Sequence, residues 1–311
     1  MGEYGRELWR GGVESWECDA NGHLNVRFYL AKKMQALAGL AAELGMPGVF
    51  SRHAEATLVV RDHHIRFLRE AHPTDSLTIT GGVLDIGETD ARLLMVMHHA
   101  SGEIAAVFQA QVEHVTAREL RPFEWPARVK ARARDRMVTV PAALAPRSLD
   151  VEPAITQASL PRAIELGLRR GALGVVGDEE CDAFGRMRPE TYLSRISEAI
   201  GHVIHDQPIA AHKRDGEGGK SRIGSAVLEY RLLYLDWPRA GDRIDQRSGL
   251  SGSDHRFRRL THWVLDPETG RPWCSAQAVV TTFDLATRKM ITFSPQVQAA
   301  LGALATPGLT Y

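Results

Sequence analysis

The chain has 311 residues, 44% hydrophobic and 24% charged, with 38 Lys and Arg against 38 Asp and Glu. That length allows two globular domains with real cores, and a formal charge of zero argues against a broad nucleic-acid-binding surface. No stretch reaches the roughly 20 apolar residues of a membrane-spanning helix. The N-terminal "MGEYGRELWRGG" lacks the apolar core of a signal peptide. Three cysteines without a CxxC pair suit reduced thiols and argue against a cysteine-based zinc site. A cytoplasmic protein with no nucleic-acid or membrane partner is expected.

In chain order, a short strand leads into "ECDANGHLN", Glu17–Asn25, a dense run of acid, amide, glycine and histidine. A helix follows, because Val26, Leu30, Met34, Leu37, Ala41 and Leu44 fall at three- and four-residue spacing, and Gly45 and Pro47 stop it. Ala36, Ala38, Gly39, Ala41 and Ala42 keep that helix slim, so it can lie close against a sheet. The runs "TLVVRDHHIRFL", "SLTITGGVL", "ARLLMVMHH" and "AAVFQAQVEHV" then read as strands, separated by Gly or Asp turns as in antiparallel hairpins. His63-His64 and His98-His99 lie on these strands, where neighbours face opposite ways, so neither pair chelates one metal.

Residues 119–168 read as a linker, its first part basic and its second rich in Pro and Ala. A solvated crossover is the simpler reading, and a basic strip near a phosphate-bearing ligand the sharper one. Then the opening phrase returns as "ECDAFGRMR", Glu180–Arg188. Aligning Glu17–Leu30 with Glu180–Leu193 gives seven identities in fourteen positions. Further on, Asp75 falls opposite Asp242, Gly102 opposite Gly270, and Gln109-Ala110 opposite Gln277-Ala278. A second helix carries Tyr192, Ile196, Ala199, Ile200 and Val203 on one stripe, with Pro189 in its first turn. The polar segment 206–222 is expected to be an exposed loop. The chain therefore reads as a tandem duplication: units at 1–118 and 169–290, and a C-terminal tail at 291–311. Each unit has one long helix and about five antiparallel strands, an α+β pattern.

"DANGHLNVRFYL" resembles the signature of the 4-hydroxybenzoyl-CoA thioesterase-like branch of hotdog-fold proteins: an Asp, a short gap, Gly-His-x-Asn, then an aromatic residue. The layout is similar to double-hotdog thioesterases, including plant acyl-ACP thioesterases, whose Asp-x-Asn-x-His-x-Asn motif is matched by Asp19, Asn21, His23 and Asn25. The resemblance implies a tandem double hotdog, each sheet wrapped around one central helix. It implies an intrachain pseudo-dimer with its site at the interface of the units, and a possible homodimer. It also implies hydrolysis of acyl-CoA or acyl carrier protein thioesters, with no cofactor and no metal.

The chemistry is consistent with that. Thioester hydrolysis needs a nucleophile, or a base that activates water, and donors for the developing oxyanion. Asp19 is placed to be the first, and the unsatisfied N–H groups at the following helix start to be the second. His23 could orient Asp19 or the water, and Asn25 could cap the helix. Asn21, Gly22 and Tyr29, with Arg186 and Arg188, are expected to contact substrate. Asp19 reads as well as a turn or capping aspartate, and the repeat at Asp182 does not decide, since a structural cap would repeat too. Copy two has Arg186 and Arg188 in place of His23 and Asn25, yet carries Glu198 where copy one has Gln35. In plant acyl-ACP thioesterases a helix Glu falls at this spacing, so Asp182 and Glu198 form a possible second site. Cys18 and Cys181 read as small buried residues. A hotdog hydratase or dehydratase, and a non-catalytic acyl-thioester binder, are the competing functions.

Overall fold

The computed structural model describes residues 4–205 and 223–311; the expected loop at 206–222 lies outside the described residues. The chain divides into two compact units. Unit 1 is Met1–Arg147 with Asp178–Leu193, and unit 2 is Ser148–Gly177 with Ser194–Tyr311. These bounds differ from the sequence units in two ways: the first half of the linker belongs to unit 1 and the second half to unit 2, and the copy-two loop with the start of its helix, Asp178–Leu193, groups with unit 1.

Unit 1 holds β1 (Arg6–Gly12), α1 (Val26–Glu43), β2 (Ala56–Phe67), β3 (Ser76–Ile86), β4 (Asp90–His99) and β5 (Ile104–Thr116). Its antiparallel strands lie in the order β1-β3-β4-β5-β2. The linker adds α2 (Ala127–Arg134), whose Val129 and Ala133 are fully buried. Trp125 is also buried and donates its indole N–H to the Asp90 carbonyl at 3.0 Å. The segment read as a solvated crossover thus carries core residues. The basic face of α2 disguised them in the sequence, since two apolar residues at four-residue spacing leave no stripe.

Unit 2 holds α3 (Leu160–Glu165), β6 (Arg169–Val175), α4 (Pro189–Ile204) from Ser194 onward, β7 (Ile223–Tyr234), β8 (Arg243–Ser253), β9 (Phe257–Leu265) and β10 (Pro272–Asp284). The strand order β6-β8-β9-β10-β7 is the order of unit 1. The C-terminal tail forms α5 (Pro295–Leu304), capped by Ser294, and ends with Leu309 buried among Trp263, Leu265 and Leu168.

The duplication extends to irregularities. The pairing skips Leu8 in β1 and Gly171 in β6, Arg61 in β2 and Leu228 in β7, Leu84 in β3 and Ser251 in β8, Ala105 in β5 and Trp273 in β10. A β-bulge re-aims side chains and bends its strand, so shared bulges mean shared curvature.

Helix α1 sits where its small residues let it. A Cβ at Gly39 would lie 2.3 Å from the Leu8 carbonyl oxygen, so only glycine permits this approach of helix to strand. In unit 2 the glycine is on the strand: a Cβ at Gly171 would lie 2.9 Å from the Ala199 methyl of α4. Cys18 and Cys181 are half-buried, less enclosed than the sequence suggested. Among the described residues no helix is long and apolar enough to cross a membrane.

Candidate active site

The loop before α1 is closed by Asp19. Its Oδ1 accepts from the N–H groups of Asn21 at 2.8 Å and His23 at 3.2 Å, and its own N–H donates to the His23 carbonyl at 2.8 Å. Gly22 turns the chain at φ +78°, a conformation favouring glycine, and Cys18 bridges to Leu24. The Asn25 N–H donates to the Glu17 carbonyl at 2.9 Å, while the Glu17 carboxylate holds Lys32 at 2.7 Å. Asn25 is the N-cap, its side chain accepting from the Arg27 N–H at 3.0 Å. Asp19 is exposed, and among the described residues its Oδ2 makes no hydrogen bond and the Val26 N–H donates none. A spare carboxylate oxygen and a spare helix-start donor therefore occur within one loop.

Copy two repeats the loop bond for bond. Asp182 Oδ1 accepts from the N–H groups of Phe184 at 2.8 Å and Arg186 at 3.0 Å, Gly185 turns at φ +75°, and Cys181 bridges to Met187. The difference lies at Oδ2, which receives Arg186 Nε at 3.1 Å and its terminal nitrogen at 2.9 Å. Arg186, expected to contact substrate, is only 3% exposed and lies over the Phe184 ring, so its guanidinium is enclosed within its own loop. Arg188 donates to the Glu179 carbonyl and lies 3.6 Å from Glu190. Glu198 is exposed and accepts from the Ser194 hydroxyl at 2.9 Å, much as its counterpart Gln35 accepts from the Trp9 indole at 2.9 Å. Asp182 belongs to unit 1 and Glu198 to unit 2.

Tyr29 departs from its expected role in contacting substrate. It is 4% exposed, its hydroxyl accepts from the Ala71 N–H at 3.0 Å and donates to the Arg69 carbonyl at 3.4 Å, and burial pushes its pKa up to about 12. It pins the β2–β3 connection beneath the loop. The Leu24 N–H completes the pin by donating to the Ala71 carbonyl at 2.8 Å. This brings Glu70 and His72 to His23, whose Nε2 lies 3.4 Å from a Glu70 carboxylate oxygen and whose ring meets His72 edge-on at 5.1 Å. Neither Glu70 nor His72 was singled out in the sequence. Their partnership with His23 spans about fifty residues and is made by the Tyr29 and Leu24 bonds to the β2–β3 connection, which no sequence pattern displays.

A second polar cluster lies in the interior of unit 1. Lys33, fully buried, approaches His63 at 2.7 Å between Nζ and Nε2. Burial pulls the Lys33 pKa down to about 7, against the opposing pull of the Glu190 carboxylate, and burial takes His63 well below its usual range. Burial raises Glu190, whose Oε2 has no hydrogen-bond partner among the described residues. The sequence did hold a signal here: Lys33 interrupts the apolar stripe between Leu30 and Leu37.

Repeated five-stranded units and a duplicated aspartate loop before each long helix define a tandem double-hotdog protein. The chain belongs to the thioesterase-like superfamily, whose profile matches residues 13–133 and 176–301. Its fold is similar to that of a Lactobacillus plantarum protein provisionally described as an oleoyl thioesterase, at TM-score 0.65 and 12% identity over 89% of this chain and 97% of that one. An acyl-ACP thioesterase from Bacteroides thetaiotaomicron aligns at TM-score 0.62 and 11% identity, covering 88% of this chain and 96% of its own. The 12:0-ACP thioesterase of Umbellularia californica gives TM-score 0.62 and 12% identity, covering 88% and 93%. At such identities the likeness shows the fold alone. No curated protein gives a significant sequence match.

Proposed function

We propose that the chain hydrolyses acyl-CoA or acyl carrier protein thioesters at the copy-one loop, with Asp19 as the catalytic base. The observation that carries this is the uncommitted Asp19 Oδ2 in the same short loop as the uncommitted Val26 N–H. Asp19 takes a proton from water, and the oxygen of that water bonds to the thioester carbon. The carbonyl electrons move to oxygen, where a helix-start N–H stabilises the oxyanion. The oxyanion collapses, the C–S bond breaks, and the thiolate leaves with a proton, giving acid and thiol. His23 and Asn25 act as positioning residues, Asn25 through the cap. Asn21 and Gly22, at the loop's open face, border the substrate.

One observation favours a second reading, a non-catalytic acyl-thioester binder: Oδ1 of both aspartates closes its own loop, as a purely structural residue would. A thiol-release screen decides between them, run on short, long, aromatic and polar acyl groups carried on CoA and on carrier protein. Steady thiol release from at least one substrate, lost in Asp19→Asn, supports hydrolysis. Binding without release in the parent supports the binder, and hydration of an enoyl-CoA would replace both.

A further inference from the structure

We infer that His23, Glu70 and His72 form a binding site for one divalent cation of the zinc class. One ligand atom from each lies within 4.8 Å of the others. A tetrahedral site with metal–ligand bonds of about 2.0–2.1 Å separates its ligand atoms by about 3.3–3.4 Å. The His23–Glu70 pair already stands at 3.4 Å. The His72 and Glu70 side chains are 53% and 38% exposed, so they have room to close the remaining gap by rotation.

The backbone beneath is fixed. Ala71, between the two ligands, is fully buried with its N–H on the Tyr29 hydroxyl and its carbonyl on the Leu24 N–H. Asp75 stands behind His72: its Oδ2 accepts the His72 N–H at 2.9 Å and lies 3.9 Å from the ring Nδ1. A turn of the exposed His72 ring that closes this gap would let the carboxylate accept the ring N–H, a bond that orients a ligand imidazole and raises its basicity. Two imidazoles and one carboxylate suit zinc, cobalt or nickel over the all-oxygen preference of magnesium and calcium, and leave a fourth position for water.

Copy two supplies an internal comparison. The turns match, with the Asp75 N–H donating to the His72 carbonyl at 3.0 Å and the Asp242 N–H to the Arg239 carbonyl at 2.9 Å. By that register the counterparts of His23, Glu70 and His72 are Arg186, Trp237 and Arg239. All three ligands are lost together, while the surrounding turn is kept. The sequence expectation of no metal rested on the cysteines, the adjacent histidines and the family resemblance, none of which brings His23 to residues about fifty positions away.

A metal on His23 withdraws that ring from the positioning role given above, so bound zinc should inhibit hydrolysis; this consequence rests on the proposed function, whereas the site itself does not. The test strips the full-length chain with chelator and titrates zinc chloride by calorimetry near neutral pH. One ion per chain is expected, with affinity falling about tenfold or more in both His72→Ala and Glu70→Gln. Metal-free melting should be unchanged in both, and cobalt(II) in the parent should show four-coordinate visible bands. Absent binding, or binding equally tight in both variants, overturns the site. In the thiol-release assay zinc should slow the parent and spare His72→Ala; equal rates with and without bound zinc overturn the inhibition. A chain that releases no thiol at all fails the proposed function, and calorimetry still decides the site.

Discussion

Asp19 and Asp182 perform one structural task and differ at one oxygen. Asparagine at either position keeps the Oδ1 acceptor that closes the loop. Asp19→Asn should therefore melt like the parent while losing at least about a hundredfold in kcat, with His23→Ala losing less. Asp182→Asn should do the opposite. It leaves the 3% exposed Arg186 without its carboxylate, costing about 1–3 kcal/mol in denaturant melts with kcat largely kept. Loss of kcat in Asp182→Asn at full stability would move the site to copy two. The Asp-x-Asn-x-His-x-Asn spacing was legible in the sequence, but the two aspartates were not distinguishable there. What separates them is a buried ion pair, and an arginine four residues along reads equally well as a solvated charge.

At the level of elements, the long helices were legible because their apolar residues recur at three- and four-residue spacing and their ends are marked by Asn25, Gly45 and Pro189. The alternating strands were legible too. The bulges were not, since each inserts one residue without altering composition, and α2 was hidden under its arginines. The Gly39 contact has a direct consequence. Gly39→Ala would improve intrinsic helix propensity, yet its methyl meets the Leu8 carbonyl at 2.3 Å, and backbone cannot rotate away as a side chain can. The variant should lose about 1–3 kcal/mol in a denaturant titration. A gain in stability would mean that α1 and β1 are less closely packed than a 2.3 Å approach requires.

For the chain as a whole, the buried Lys33 sets a pH signature. Unfolded, it titrates near 10.5; folded, at about 7. Between those values the unfolded chain holds the extra proton, so this residue makes stability rise with pH through the window. Below about pH 7 both states are charged and its full penalty is present. Lys33→Met should flatten the stability profile between about pH 8 and 10, read as melting temperature across a buffer series. An unchanged slope would mean that Lys33 titrates normally in the folded chain. Lysine among leucines marks this position in the sequence, whereas its partners His63 and Glu190 come from elements that only the fold brings close.

The matched bulges in β1 and β6 have one further consequence. Each strand lies at an edge of its unit's sheet, and each carries exposed charge at its start: Arg6 and Glu7 in one, Arg169 and Arg170 in the other. A bent, charged edge is a poor template for a foreign strand. In β6 these arginines stand guard over Leu173 and Val175, which are 51% and 53% exposed. Replacing Arg169 and Arg170 with valine would leave a flatter apolar edge, and the chain should then form thioflavin-positive aggregates under conditions where the parent stays clear.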